Sequence, residues 1–159
     1  MQEKRFANMY NLYADDIYRF VFVHVRDAAL AEDLTADTFI NAWKNIDKFE
    51  NKYPRAWLYT IARNRMADHW RKKQAVPLEE DMDVVSDAEP ADVTVDRKLQ
   101  QKRVIKALAT LPEDMKSIIT LRFMQGCSVR ETAKALGYSE ANVRVLQYRA
   151  LKKLKGKLS

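Results

Sequence analysis

The chain has one cysteine, three glycines, four prolines and two histidines in 159 residues. A single cysteine, Cys127, excludes a disulfide framework and suits a reducing cytoplasm, where it reads as a small buried residue at a helix end. His24 and His69 have no cysteine or histidine at ligand spacing, so neither zinc nor any other metal or cofactor is expected. Apolar runs stay short of the ~18 residues that a membrane span needs, and MQEKRFANMY lacks the apolar centre of a signal peptide. Scarce glycine and proline with helical apolar periodicity predict an all-α chain. No glycine-rich phosphate loop and no nucleophile with a base at workable spacing is visible, so the chain is not expected to be an enzyme. The carboxylate groups Asp15/Asp16 and Glu79/Glu80/Asp81 fall in a polar helix turn and a linker.

Basic charge is also missing where it matters most. Ala75–Asp96 contains 8 acidic residues and no lysine or arginine, whereas residues 1–74 are net +3 and residues 97–159 are net +11. The strip has two prolines and no period, which predicts an extended, flexible acidic linker between two small helical domains. It reads either as a spacer or as an acidic strand able to occupy a basic channel built for nucleic acid. Each lobe is small enough to be marginal alone, so stability is expected to depend partly on partners. A lobe at +11 over 63 residues is the electrostatic footprint of a polyanion binder, against the plainer reading of a solvated basic face.

In the first lobe, helices are predicted from Phe6 to about Val25 and from Ala28 to about Ile46, with a break at Arg26–Asp27. A polar loop, Asp47–Tyr53, precedes a helix from Pro54 to about Lys73, where Pro54 suits the first helical position. That helix, PRAWLYTIARNRMADHWRKK, carries two tryptophans, a tyrosine, a histidine and six Arg/Lys. Leu58, Ile61, Ala62 and Met66 are assigned inward, and Trp70 reads as core. Trp57 and Tyr59 beside Arg63, Asn64 and Arg65 are assigned outward, where aromatics stack on unpaired bases.

In the second lobe, helices are predicted over Arg97–Thr110 and Pro112–Gln125. Ser128 and Glu131 form a capping box for a helix ending at Gly137. Ser139 caps the last helix, whose inner stripe is Val143, Leu146, Ala150, Leu151 and Leu154. Together these have the lengths of a helix-turn-helix, with the second helix placed for a major groove. Its outward positions include Asn142, Arg144, Val145, Tyr148 and Arg149. Lys152 continues the face of Arg144 and Tyr148, and the basic residues suit phosphate contact.

AEDLTADTFINAW, PRAWLYTIARNRMADHWRK and GYSEANVRVLQYRALKKL, in that order around the linker, resemble the extracytoplasmic-function group of sigma-70 factors across essentially the whole chain. The resemblance implies a sigma-2-like domain (1–74) that binds core RNA polymerase and recognises and melts the −10 element. It implies a linker (75–96) passing near the RNA exit channel and a sigma-4-like domain (97–159) that recognises the −35 element. Asp33, Leu34, Asp37, Thr38 and Phe39 match the segment that docks on the polymerase β′ clamp. Trp57, Tyr59, Arg63 and Asn64 match the −10 region, and Lys48, Phe49, Asn51 and Lys52 lie in the loop that holds a flipped −10 base. Arg144, Tyr148 and Arg149 match the −35 reading helix, with Arg130, Asn142, Val145 and Lys152 beside them. Expected partners are the β′ clamp and β flap of core polymerase, promoter DNA and an anti-sigma factor, with no membrane insertion and no cofactor. The chain departs from the pattern at Ala36, commonly glutamine, and at Val145-Leu146, commonly Ser-Arg. Leu146 is expected to turn inward, leaving Val145 to meet a thymine methyl. The competing reading is a dimeric helix-turn-helix regulator that binds duplex DNA without polymerase.

Overall fold

The structure, a computed structural model, describes residues 2–50, 52–75 and 95–158. Seven α-helices are found among them, with no strand: α1 (Gln2–Val25), α2 (Ala28–Lys44), α3 (Pro54–Ala75), α4 (Val95–Leu108), α5 (Glu113–Ile119), α6 (Val129–Leu136) and α7 (Glu140–Leu158). The all-α expectation holds. The acidic strip between α3 and α4 lies outside the described residues. Its expected ends do not: residue 75 closes α3, and residues 95 and 96 open α4.

Local chemistry accounts for the helix ends. The α1–α2 corner turns at Arg26, which takes a positive φ of 54°. Asp27 then caps α2 by accepting from the Leu30 backbone N–H at 3.2 Å. A 3₁₀ turn, Ile46–Lys48, follows α2 and takes up the start of the loop expected from Asp47. The predicted Pro112–Gln125 helix is α5 continued by a π-turn over Thr120–Met124, closed by the Gln125 N–H on the Thr120 carbonyl at 3.0 Å. Arg122 fixes this turn to the rest of the lobe, donating to the Cys127 carbonyl (2.6 Å) and to Gln147 (2.9 Å). Ser128 accepts from the Glu131 N–H, Gly137 is left-handed at φ 72°, and Ser139 accepts from the Asn142 N–H. The helix-turn-helix expected between residues 128 and 154 is therefore present.

Packing unites the two lobes. Phe20, Ile17, Val21, Leu58, Tyr59, Ala62 and Met66 from the first lobe share one buried cluster with Ile118, Leu121, Ala133, Leu136 and Val143 from the second. A smaller cluster of Leu108, Leu111, Met115, Ile119, Ala150 and Leu154 takes in Val23 of α1. Two lobes that are each marginal on their own thus bury apolar surface on one another, which follows from the small core each could form alone. One core assignment changes. Leu151 is exposed rather than inward, and the half-buried Leu146 packs against both clusters as expected.

Gly137 sits where an L-residue is strained, although nothing lies within 4 Å of an added Cβ. Gly137→Ala is expected to lower stability by about 1 kcal/mol through backbone strain alone. Urea unfolding followed by circular dichroism should show a lower midpoint with unchanged helical signal before the transition.

Candidate nucleic-acid and polymerase interfaces

On α7 the expected residues form an open surface. Asn142, Arg144, Val145, Tyr148, Arg149 and Lys152 are all exposed, and Arg130 is exposed on α6. Arg144 lies 4.0 Å from Glu140 one turn earlier, a solvated pair that a phosphate can displace. Tyr148 is 69% exposed, too much for a structural role in the core, and Val145 stands half out of the surface.

The α2 segment is only partly as expected. Leu34, Thr38 and Phe39 are buried, so they form the inner face of α2 and cannot be contact residues themselves. Thr38 satisfies its hydroxyl on the Leu34 carbonyl at 2.7 Å. The outward face is Asp33, Ala36, Asp37, Ile40 and Trp43. Asp37 also accepts from Asn41 and lies 4.0 Å from Arg65. Ile40, Trp43 and, from α1, Tyr10 are exposed large apolar groups that motif matching did not flag. Trp43 and Tyr10 are braced edge-on against Phe6 and Phe39 respectively, at 5.3 and 5.0 Å between ring centroids. The signal for them was available: positions 33, 36, 37 and 40 share one helical face, opposite Ala31, Leu34, Thr38 and Ala42.

The α3 region departs most. Lys48, Lys52 and Asn64 are exposed, and Asn51 lies outside the described residues. Phe49 is not a free loop side chain. It is buried, stacked on Trp57 at 4.7 Å, under the Arg5 guanidinium. Trp57 is half-buried by that stacking, whereas an outward position was expected; half-buried Trp70 packs on the core as expected. Tyr59, assigned outward, is completely buried. Its ring meets Phe20 edge-on, and its hydroxyl donates to the Gln125 side chain. Burial drives the Tyr59 phenol far above its ordinary pKa, so it stays a neutral donor.

Polar side chains from α3 tie this helix to the second lobe. The Arg55 guanidinium binds both carboxylate oxygens of Glu131, at 3.1 and 2.9 Å, and the Gln125 carbonyl at 2.7 Å. Asp16 is 3.8 Å away. The hydrogen bond to Glu131 outweighs the opposing effect of burial and raises the Arg55 pKa further. Thr60 donates to the Ala135 carbonyl at 2.9 Å, and Arg63 to the Leu136 carbonyl at 3.0 Å. The Gln125 side chain bridges Tyr59 to the Asp16 carbonyl, the latter at 2.7 Å. The capping box is consequently half-built. Ser128 performs its share, but the Glu131 carboxylate has been drawn to Arg55. Cys127 is buried beside this network, and burial pushes its thiol up to about 12, which leaves it unreactive. At the open rim, a depression of about 460 Å³ is lined by Lys52, Tyr53, Arg130 and Lys134. The Lys134 ammonium lies 5.3 Å from the Tyr53 ring centre, a cation–π contact.

A second polar link joins α1 to α5. His24 Nδ1 is 2.5 Å from Glu113, and the Ser117 hydroxyl is 3.1 Å from Nε2. The geometry fits a neutral ring that donates through Nδ1 and accepts from Ser117. Burial lowers the His24 pKa despite the carboxylate beside it. Burial would raise the Glu113 carboxyl, but hydrogen bonds from His24 and Lys116 hold it below its ordinary value.

Comparison with known proteins adds the following. Residues 9–76 match Sigma-70 region 2, and residues 101–154 match Sigma-70, region 4. The chain is 36% identical over 154 residues to the ECF RNA polymerase sigma factor BldN of Streptomyces coelicolor, and 94% of this chain spans 58% of that protein. It is 33% identical over 162 residues to the ECF RNA polymerase sigma factor SigX of Bacillus subtilis, covering 96% of this chain and 83% of that one. Among solved structures it resembles the sigma factor RpoE of Bartonella quintana in complex with the anti-sigma factor NepR. The TM-score is 0.75 at 26% identity, over 98% of this chain and 97% of that one. CnrH in complex with the cytosolic domain of CnrY gives 0.73 at 25% identity, over 98% of this chain and 88% of that one. Both alignments span both lobes. Among the described residues, no helix is long and apolar enough to cross a membrane.

A pH effect follows from His24. Its folded-state pKa lies below its unfolded value, so the unfolded chain takes up the proton first. Its contribution is complete above about pH 6.5 and is lost as pH falls below that. The urea midpoint of the protein should fall between about pH 7.5 and 5.5, above the ordinary carboxylate range. His24→Gln should flatten that dependence; an unchanged slope would assign the loss to other groups.

Proposed function

The chain belongs to the extracytoplasmic-function group of sigma-70 factors, and from that premise we propose that it binds core RNA polymerase and directs initiation at a subset of promoters. The observation that carries this reading is one chain holding two separate interfaces. The second helix of a helix-turn-helix offers six exposed groups suited to duplex DNA. The first lobe offers a mixed acidic and apolar face on α2, a surface suited to protein and not to DNA.

Arg144, Tyr148, Arg149 and Lys152 meet the −35 element, with Arg130 and Asn142 beside them and Val145 free to meet a thymine methyl. Asn64, Lys48 and Lys52 are the side chains of the first lobe already available to a −10 strand. Asp33 and Asp37 contact the β′ clamp, and Leu34, Thr38 and Phe39 act by shaping the helix that presents them. Ile40, Trp43 and Tyr10 supply the apolar part of that contact. The protein acts in the cytoplasm, and the bond-making chemistry is the polymerase's. An anti-sigma factor is a fitting partner, since one similar solved structure is a sigma factor in complex with an anti-sigma factor. A dimeric regulator acting without polymerase has no use for a first lobe of this kind.

Transcription in vitro from a pool of genomic promoters, with core polymerase alone and with added protein, tests this directly. Discrete new transcripts are expected, and their absence together with no binding to core overturns the reading. Arg149→Ala should weaken binding to −35 duplex and reduce the slope of log affinity against log salt by about 1. Asn64→Ala should leave affinity for core polymerase intact and lower open-complex formation, read by permanganate footprinting.

A further inference from the structure

Arg5 lies in the first turn of α1, ahead of the stretch matching Sigma-70 region 2, which begins at residue 9. The match assigns it no role, yet its side chain is engaged on the segment between α2 and α3. Its Nη2 donates to the Phe49 carbonyl at 3.0 Å, and its guanidinium carbon lies 4.8 Å from the centre of the Phe49 ring. The same ring is stacked on Trp57, 4.7 Å away and inclined by 27°. An arginine and an indole thus both bear on Phe49, through contacts whose geometry is directional.

The ends of that segment are tied down as well. The Gln2 side chain donates to Asp47. The Lys48 and Phe49 amides close the 3₁₀ turn on the Asn45 and Ile46 carbonyls, at 2.9 and 3.2 Å. At the far end Tyr53 takes a left-handed φ of 55°, and its carbonyl accepts from the Trp57 N–H at 3.1 Å. A non-glycine residue persists in that region only where its surroundings hold it. An aliphatic side chain at position 5 could cover the Phe49 ring, but it could not hold the carbonyl. The arginine does so with a penalty. Its Nε is buried and has no acceptor among the described residues, and a stranded buried donor is unfavourable. The contact therefore orients the Phe49 backbone as well as filling space.

We propose that Arg5 is a positioning residue for −10 recognition. It fixes the backbone and ring of Phe49, so that the segment from Ile46 to Tyr53 is set for one unpaired base before DNA arrives. This rests on the assignment of that segment to the −10 element. A base drawn out of a duplex gives up its stacking and pairing. A site that needs no further ordering loses the least affinity when it takes such a base. Arg5 thereby sharpens the preference for one base without touching it. The start of α1, outside the family match, becomes a determinant of promoter choice beside α7.

The test uses the full chain with core polymerase. The probe is a fluorescent single-stranded oligonucleotide carrying the −10 segment of a promoter that the unaltered chain transcribes, compared with the same strand substituted at each base in turn. In Arg5→Ala, discrimination at one position should fall about tenfold, the worth of one hydrogen bond from a charged donor, while affinity for core and for −35 duplex holds. Arg5→Lys keeps a cation beside the ring and loses the fork, so it should lie between the two. The slope of log affinity against log salt should not change, because Arg5 is engaged within the protein. A slope reduced by about 1 would make Arg5 a phosphate contact and overturn the proposal. An equal loss for every strand, or no loss, overturns it as well. Hydrogen exchange read by mass spectrometry reports positioning without DNA. Amides of residues 46–53 should exchange several-fold faster in Arg5→Ala, with α6 and α7 unchanged, and unaltered exchange there also overturns the proposal. Where circular dichroism shows that Arg5→Ala fails to fold, Arg5→Lys decides on the same readouts. Absence of transcripts from the unaltered chain refutes the functional reading and this proposal with it. Transcripts with base preference and exchange unchanged in Arg5→Ala refute the positioning alone.

Discussion

Arg55 is the residue on which the arrangement of the two lobes depends. It lies in the first turn of α3, and its guanidinium gathers a carboxylate of α6, a backbone carbonyl beyond the π-turn and, more distantly, a carboxylate of α1. The 125–131 stretch is thereby fixed to one planar group with a set hydrogen-bond geometry, and α1 is drawn to the same charge. A lysine would supply the charge without the fork. Apolar burial provides most of the driving force along α3 and α6, but it is nondirectional. The directional contacts of Arg55, Tyr59, Thr60 and Arg63 set the register at which that apolar surface closes.

The secondary structure was largely legible in the sequence because each boundary has a local cause. Asp27, Ser128, Gly137 and Ser139 act within a few residues of themselves, so their effects need no tertiary knowledge. The π-turn after α5 was not legible. It depends on Arg122 reaching Cys127 and Gln147, and on Gln125 reaching back to Asp16 and Tyr59. The role of Glu131 was misread for a related reason. Its spacing from Ser128 was correct for a capping box, but the stronger partner lies 76 residues away.

The candidate site divides along the same line. α7 packs on α4, α5 and α6 along one side and leaves the other in solvent, so simple helical spacing assigns its outward candidate residues correctly. α3 has no dominant apolar stripe because two of its sides are occupied. One packs on α1 and α2, one packs on α6, and a third remains in water. A helix of this kind cannot be sorted into inside and outside by periodicity, and Tyr59 was assigned to the wrong side. On α2 the error was different. A motif names residues that stay together in sequence, and a helix of 3.6 residues per turn must send some of them inward. Leu34, Thr38 and Phe39 form the inner face of α2, and Asp33, Ile40 and Trp43 lie on its outer face.

The two surfaces proposed to meet DNA are unequal in this structure, and the inequality has a consequence for the order of events. The groups on α7 are displayed on the outside of the molecule, so duplex contact requires no rearrangement. The groups on α3 are bonded to α6, so contact with an unpaired strand must replace those bonds. A factor built this way gains little by meeting melted DNA before its lobes have separated. Opening would have to replace the Arg55–Glu131 pair and the hydrogen bonds from Thr60 and Arg63 to α6. Polar contacts suit this role better than a sealed apolar seam, because water, DNA phosphate and the helix's own N-terminus can each take over one of the bonds that opening breaks.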